Sequence, residues 1–187
     1  MKLAQRLVSL VLVWGCAADA APLGDSVYQH SADWQDQNQQ TRQLASFSGK
    51  KLVLAMIYTH CLHTCPIIVS AMKSLRTELA QIAPQQHDNY QFVLVSLTPD
   101  SDTPATLKAF AKRRALDEKS WSLLSGRNSD VRILAMLLGV KYKAMAYNEL
   151  AHSNVFTVLD EQGRIVMQRP GTLSAAKQAA KELSLKH

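Results

Sequence analysis

Residues 51–58, KLVLAMIY, form a near-continuous apolar run after Gly49, and no other stretch constrains the fold as strongly. A run of this length and content has the pattern of a strand covered on both faces. The covering layers follow it in the chain. Ile68, Met72, Leu75, Leu79 and Ile82 recur at steps of three and four and stop before Pro84, which predicts an amphipathic helix. Phe92 to Leu97 reads as a second central strand. Thr103 and Pro104 supply a cap and a first-turn proline for a helix with Leu107, Phe110 and Ala111 on its inner face. Trp121 to Leu124 reads as a short strand, and Ser129 and Gly139 bracket a helix whose inner face is Val131, Leu134, Ala135 and Leu138. Val155 to Leu159, a turn at Asp160 to Gly163 and Ile165 to Gln168 then predict a hairpin, and Ser174 to Leu185 a closing helix. Near the start, Val27 to Leu44 reads as a small polar hairpin that Trp34 anchors and that turns at Asn38. Strand and helix alternation with a late hairpin predicts an α/β domain, a mixed central sheet flanked by helices in a thioredoxin-like order with an N-terminal hairpin.

The N-terminus reads as an address. Lys2 and Arg6 precede the apolar run Leu7 to Trp14, and small residues follow, the layout of a bacterial-type export signal. The run falls short of the roughly 20 apolar residues that a membrane span needs. Ala18, Asp19 and Ala20 offer a cleavage site, and Val13 to Cys16 resembles a lipoprotein box with Cys16 as the lipidated residue. Residues 1–21 are therefore assigned to export and 22–187 to one folded domain. The expected product is periplasmic, soluble after cleavage or anchored to the membrane through its N-terminus or a lipidated Cys16. About 165 residues remain, enough to bury most of an ordinary domain's core without a disulfide framework. The net charge is +6, but Lys112, Arg113 and Arg114 form the only sizeable basic run and no aromatic residue interleaves it, so nucleic acid is excluded as a partner.

Three cysteines occur in the chain, and loss or lipidation of Cys16 leaves Cys61 and Cys65 as the remaining thiols in an oxidising compartment. They sit in YTHCLHTCP, residues 58–66, where the first central strand hands over to the first long helix. A helix N-terminus presents unpaired N–H groups and the positive end of the dipole, which predicts a stabilised thiolate. With three residues between them, the two sulfurs can converge. On spacing alone a plain disulfide, a redox-active pair and a site for Cu(I) or another thiophilic ion all stay open.

Further residues bear on the choice. Ser26-Val-Tyr-Gln, Trp34 with Asp36-Gln37, Gly49-Lys50, Cys61-x-x-x-Cys65-Pro66, Val95-Ser96 with Asp102-Thr103-Pro104, and His152-Ser153 before the Asp160 to Gly163 turn resemble the Sco/SenC proteins across essentially the whole mature chain. The resemblance implies a thioredoxin fold whose Cys61, Cys65 and His152 hold copper, as Cu(I) or Cu(II), for assembly of the binuclear copper centre of cytochrome c oxidase. The implied partner is a copper-receiving oxidase subunit or another periplasmic copper carrier. Ala151 stands where many family members have an acidic residue, and Thr98-Pro99 where they have Asp-Pro; the ligand set is intact. In thioredoxin-like enzymes the loop facing the cysteines ordinarily carries a cis-proline, whereas this chain has His152 and Ser153 there. An imidazole beside two thiolates completes a three-coordinate N/S site, which favours metal over pure disulfide exchange. A thiol-disulfide reductase that keeps the target's copper-binding cysteines reduced and a redox or copper sensor are the alternatives. No phosphate loop, nucleophile elbow or zinc-type helix motif points to a conventional enzyme.

His60 and His63 are read as exposed loop residues, Met56 and Met136 as core, and Met145 as a further thioether outside the core site. Asp100 and Asp102 are read as turn residues at the start of a helix, and His30, His87 and His187 carry no assignable chemistry.

Overall fold

A computed structural model describes residues 25–61, 64–145 and 150–185. Residues 1–21, read above as an export segment with Cys16, lie outside the described residues together with His63 and His187.

The apolar run becomes β3, Lys51–Ile57, which lies between β4, Tyr90–Ser96, and β8, Val155–Leu159. β4 pairs with it in parallel and β8 antiparallel, so both edges of β3 are satisfied inside the sheet. Its two faces feed two cores. Val53, Ala55 and Ile57 pack under α1, Thr64–Ile82, α2, Pro104–Arg113, and α4, Leu173–Ser184. Leu52, Leu54 and Met56 pack under α3, Asn128–Leu137, and the N-terminal segment around Val27, Tyr28, Trp34 and Leu44. This two-sided cover is why the strand reads as unbroken apolar sequence. The seven-stranded sheet runs β2-β1-β5-β4-β3-β8-β9, where β1 is Trp34–Asp36, β2 is Thr41–Arg42, β5 is Trp121–Ser125 and β9 is Ile165–Pro170. β3, β4 and β5 are parallel and the outer strands antiparallel, a mixed sheet flanked by helices.

The cap expected at Thr103 and the glycine turn expected at Gly139 are present, whereas Ser129 falls inside α3, which starts at Asn128 behind Arg127 with no side-chain cap bond. The Thr103 hydroxyl accepts from the Thr106 amide with Pro104 in the first turn of α2, and Gly139 turns the chain at φ 64° after α3. Three readings need correction. Ile82, the last residue of α1, is 44% exposed although its neighbours Leu79 and Ala83 are buried. Met136 is 72% exposed, since the positions that α3 buries are Val131, Leu134, Ala135 and Leu138, and Met136 falls on the opposite side. The N-terminal hairpin is shorter than read: only Trp34–Asp36 and Thr41–Arg42 pair, and β1 joins the main sheet beside β5. Val27–Gln29 is instead a single 3-10 turn, its Val27 amide bonded to the Gly163 carbonyl in the turn between β8 and β9. That turn lies beside the start of β3, since Leu159 pairs with Leu52 and the Gly49 amide reaches the Glu161 carbonyl.

A second, two-stranded ribbon was not legible in the sequence. β6, Tyr142–Ala144, pairs antiparallel with β7, Leu150–His152, with Tyr142 opposite His152. Both strands are short and half exposed, so they lack the alternation that marks a strand.

Candidate metal centre

β3 ends at Ile57, and the chain turns at Tyr58 to Cys61, closed by the Cys61 amide on the Tyr58 carbonyl at 3.3 Å. Cys65 then falls in the first turn of α1, where its amide donates to Cys61 Sγ at 3.2 Å. Cys61 is 6% exposed and Cys65 fully buried, both as thiols. His152 comes in from the end of β7, a short strand rather than the loop expected. Its Nε2 lies 3.5 Å from Cys65 Sγ, and one ligand atom from each of Cys61, Cys65 and His152 falls within 4.8 Å of the others. The three residues singled out from the sequence are therefore brought together.

The surroundings orient the imidazole. His152 Nδ1 lies 3.0 Å from the Ser153 carbonyl, which can only accept, so Nδ1 carries the proton of the neutral ring and Nε2 turns its lone pair toward Cys65. Burial holds the His152 pKa below its ordinary value against the opposing effect of the Ser153 carbonyl, so the ring is neutral near pH 7. The Tyr58 ring stands edge-on to the imidazole, centroids 5.9 Å apart, and its hydroxyl accepts from the Leu150 amide at 3.4 Å. Ribbon and cysteine turn are thus packed on one tyrosine. Burial, reinforced by a hydrogen bond with Cys61, raises the Tyr58 pKa.

The expectation that the helix N-terminus acidifies the thiols fails at Cys65. Burial raises its pKa most, Cys61 and the charge of Asp102 add to that, and a lowering bond from the Tyr58 backbone is outweighed. In a dry pocket, desolvation of a thiolate exceeds what the end of a helix dipole returns. The set still suits a soft ion: two thiols able to lose protons to a metal and one neutral imidazole already oriented by its other nitrogen.

The remaining assignments sort plainly. His60 is exposed, Met56 is core, and Met145 is 55% exposed. Asp100 accepts from the Asn128 amide group at 2.9 Å, as a turn residue holding the start of α3. His30 stacks edge-on against Trp34, and His87 bonds the Pro84 carbonyl, neither near the cysteines. Asp102 was misread. It sits in the turn before α2, but its side chain points inward, fully buried, and receives Thr59, Ser96 and Thr98. The only sequence signal was an acidic residue next to a cap, which turns alone explain.

A thioredoxin-like sheet with a Cys-x-x-x-Cys turn at the end of its central strand, facing a histidine on an added ribbon, defines a class of thioredoxin-fold proteins built around a thiol and imidazole cluster. The SCO1/SenC family profile matches residues 23–185, and the chain belongs to that family. Solved structures agree on the fold. Arabidopsis thaliana ScoI with copper bound is 16% identical, with a TM-score of 0.72 over 82% of this chain and 96% of that one. Bradyrhizobium japonicum ScoI with copper bound is 22% identical, with a TM-score of 0.67 over 81% and 96%. A SCO1/SenC family lipoprotein from Bacillus anthracis is 22% identical, with a TM-score of 0.71 over 82% and 90%. The search of curated proteins gave no significant match. Among the described residues no helix is long and apolar enough to cross a membrane.

Proposed function

We propose that the protein is an exported copper metallochaperone. It takes one copper ion as cargo on Cys61, Cys65 and His152 and gives it up during assembly of the binuclear copper centre of cytochrome c oxidase. The observation that carries this reading is the convergence of two sulfurs and one oriented imidazole nitrogen within 4.8 Å, on a SCO1/SenC chain whose fold relatives from Arabidopsis and Bradyrhizobium have copper bound. Residues 1–21 direct export, by cleavage or by lipidation of Cys16, and 22–187 form the working domain; the likeness to a Bacillus anthracis lipoprotein supports anchorage.

Transfer follows from the ligand chemistry. Copper displaces the thiol protons on binding, and acceptor thiolates replace Cys61 and Cys65 one at a time, so no step leaves the ion without a soft ligand. His152, neutral and held through Nδ1, adds the harder donor that Cu(II) needs. The test is anaerobic copper titration of the reduced protein. Cys61→Ser and Cys65→Ser should nearly abolish binding, and His152→Ala should keep Cu(I) while binding Cu(II) poorly. Forming the Cys61–Cys65 disulfide should also remove most of the affinity.

A second reading is supported by the sulfurs of Cys61 and Cys65 lying within 4.8 Å of each other, near enough for a small movement to close a disulfide. A reductase would use that pair on an acceptor's disulfide. Reduction of a cysteine-bearing oxidase peptide without metal, undiminished by His152→Ala, together with full Cu(II) binding by that variant, would replace the metallochaperone reading.

A further inference from the structure

We infer that Asp102 is a positioning residue for the metal centre: through Thr59 it fixes the turn on which Cys61 stands. This rests on the reading of Cys61, Cys65 and His152 as the working group. Ile57 and Ser96 are register partners at the ends of the parallel strands β3 and β4, so the chain leaves both strands side by side. Asp102, fully buried, bridges the two exits. On the β3 side its carboxylate accepts from Thr59 Oγ1 at 2.5 Å and from the Thr59 amide at 3.2 Å. On the β4 side it accepts from Ser96 Oγ at 2.7 Å and Thr98 Oγ1 at 3.2 Å.

A carboxylate buried this deeply is costly unless donors surround it, and an apolar side chain would fill the same space at less cost. Its distinctive property is that it accepts several directed bonds at once. Two of these grip one residue by both backbone and side chain, and that residue stands inside the four-residue turn closed by Cys61 on Tyr58. The grip therefore sets where Cys61 Sγ meets the Cys65 amide. The β4-side bonds hold the same carboxylate but touch no residue of the cysteine turn.

That asymmetry supplies the test. The full-length protein, metal-free, is equilibrated with reduced and oxidised glutathione. Cys61 and Cys65 lose two protons and two electrons to form their disulfide, and oxidised glutathione takes them up as two reduced molecules. The constant measures how well the sulfurs are placed for each other. Thr59→Val removes the hydroxyl donor at nearly constant volume, Thr59→Ser retains it, and Ser96→Ala removes a bond to the same carboxylate on the other side. Thr59→Val and Asp102→Asn should lower the constant about tenfold, or about 30 mV. Thr59→Ser should stay close to the parent, and Ser96→Ala should lose thermal stability without moving the constant. A Thr59→Val constant equal to the parent's, or a Ser96→Ala shift as large as that of Thr59→Val, would overturn the inference and leave Asp102 a fold residue. Should Asp102→Asn fail to fold, the Thr59 pair decides alone. Copper titration of the parent, run beside it, judges the metal reading separately, because the glutathione constant needs no metal.

Discussion

A proton is what copper must displace at Cys65, because burial holds that thiol's pKa above the ordinary range and keeps it protonated near neutrality. Burial lowers the His152 pKa, so its imidazole competes for a proton less than a free ring would. Apparent Cu(I) affinity should therefore rise between about pH 6 and 8, by up to about tenfold per unit for each thiol proton released. Competition against a Cu(I) chelator of known affinity checks this; a flat profile would mean that the thiols were already ionised. A second residue, Gly163, stands at φ 81°, and a Cβ there would lie 2.5 Å from the Tyr28 ring. Gly163→Ala should cost on the order of 2 kcal/mol in urea denaturation, since both the backbone and the contact with the N-terminal turn are strained. At this scale the cysteines were legible from spacing, and His152 from a family resemblance and from its place where thioredoxin-like enzymes carry a cis-proline. Asp102 was not, because its partner Thr59 lies 43 residues away and nothing local distinguishes an inward from an outward turn carboxylate.

Hairpin turns carry the acid sensitivity of the elements. Burial pushes the Asp36 carboxyl up, but Arg42 at 2.7 Å and the Gln40 and Asn38 amides outweigh it and hold the pKa below its usual value. In the β8–β9 turn, Asp160 is likewise held low, burial being outweighed by the Arg164 backbone and side chain and the Gln162 amide. With folded values below unfolded ones near 4, both groups stabilise the fold fully above that pH, and the contribution drains away as pH falls through the folded values. Asp36→Asn with Asp160→Asn should lower stability at pH 7 and flatten its decline below about pH 4, as read by urea midpoints across pH. At the start of α2, Thr103→Ala should cost about 1 kcal/mol by removing the bond to the Thr106 amide. The long elements were legible because periodicity and caps agree. The β6–β7 ribbon escaped because three-residue strands with half-exposed side chains carry no period, and their pairing is a tertiary fact.

For the whole molecule, copper should act as a ligand of the folded state alone, raising the thermal midpoint of the reduced protein as free copper exceeds the dissociation constant. Calorimetry with and without one equivalent of Cu(I) checks it, with Cys65→Ser showing no rise. The two-core architecture was legible from β3, since a strand apolar throughout demands cover on both faces. The anchorage of the first turn was not, because the bond from Val27 to Gly163 joins residues with no shared pattern. That bond also has a directional consequence. It ties the beginning of the described chain to the end of the sheet where β3 starts, while Cys61 lies beyond the end where β3 finishes. Seven residues of extended strand separate the two ends, about 23 Å. A tether attached ahead of Asp25 would therefore hold the domain by its heel, with Cys61 turned outward to whatever approaches from the opposite side.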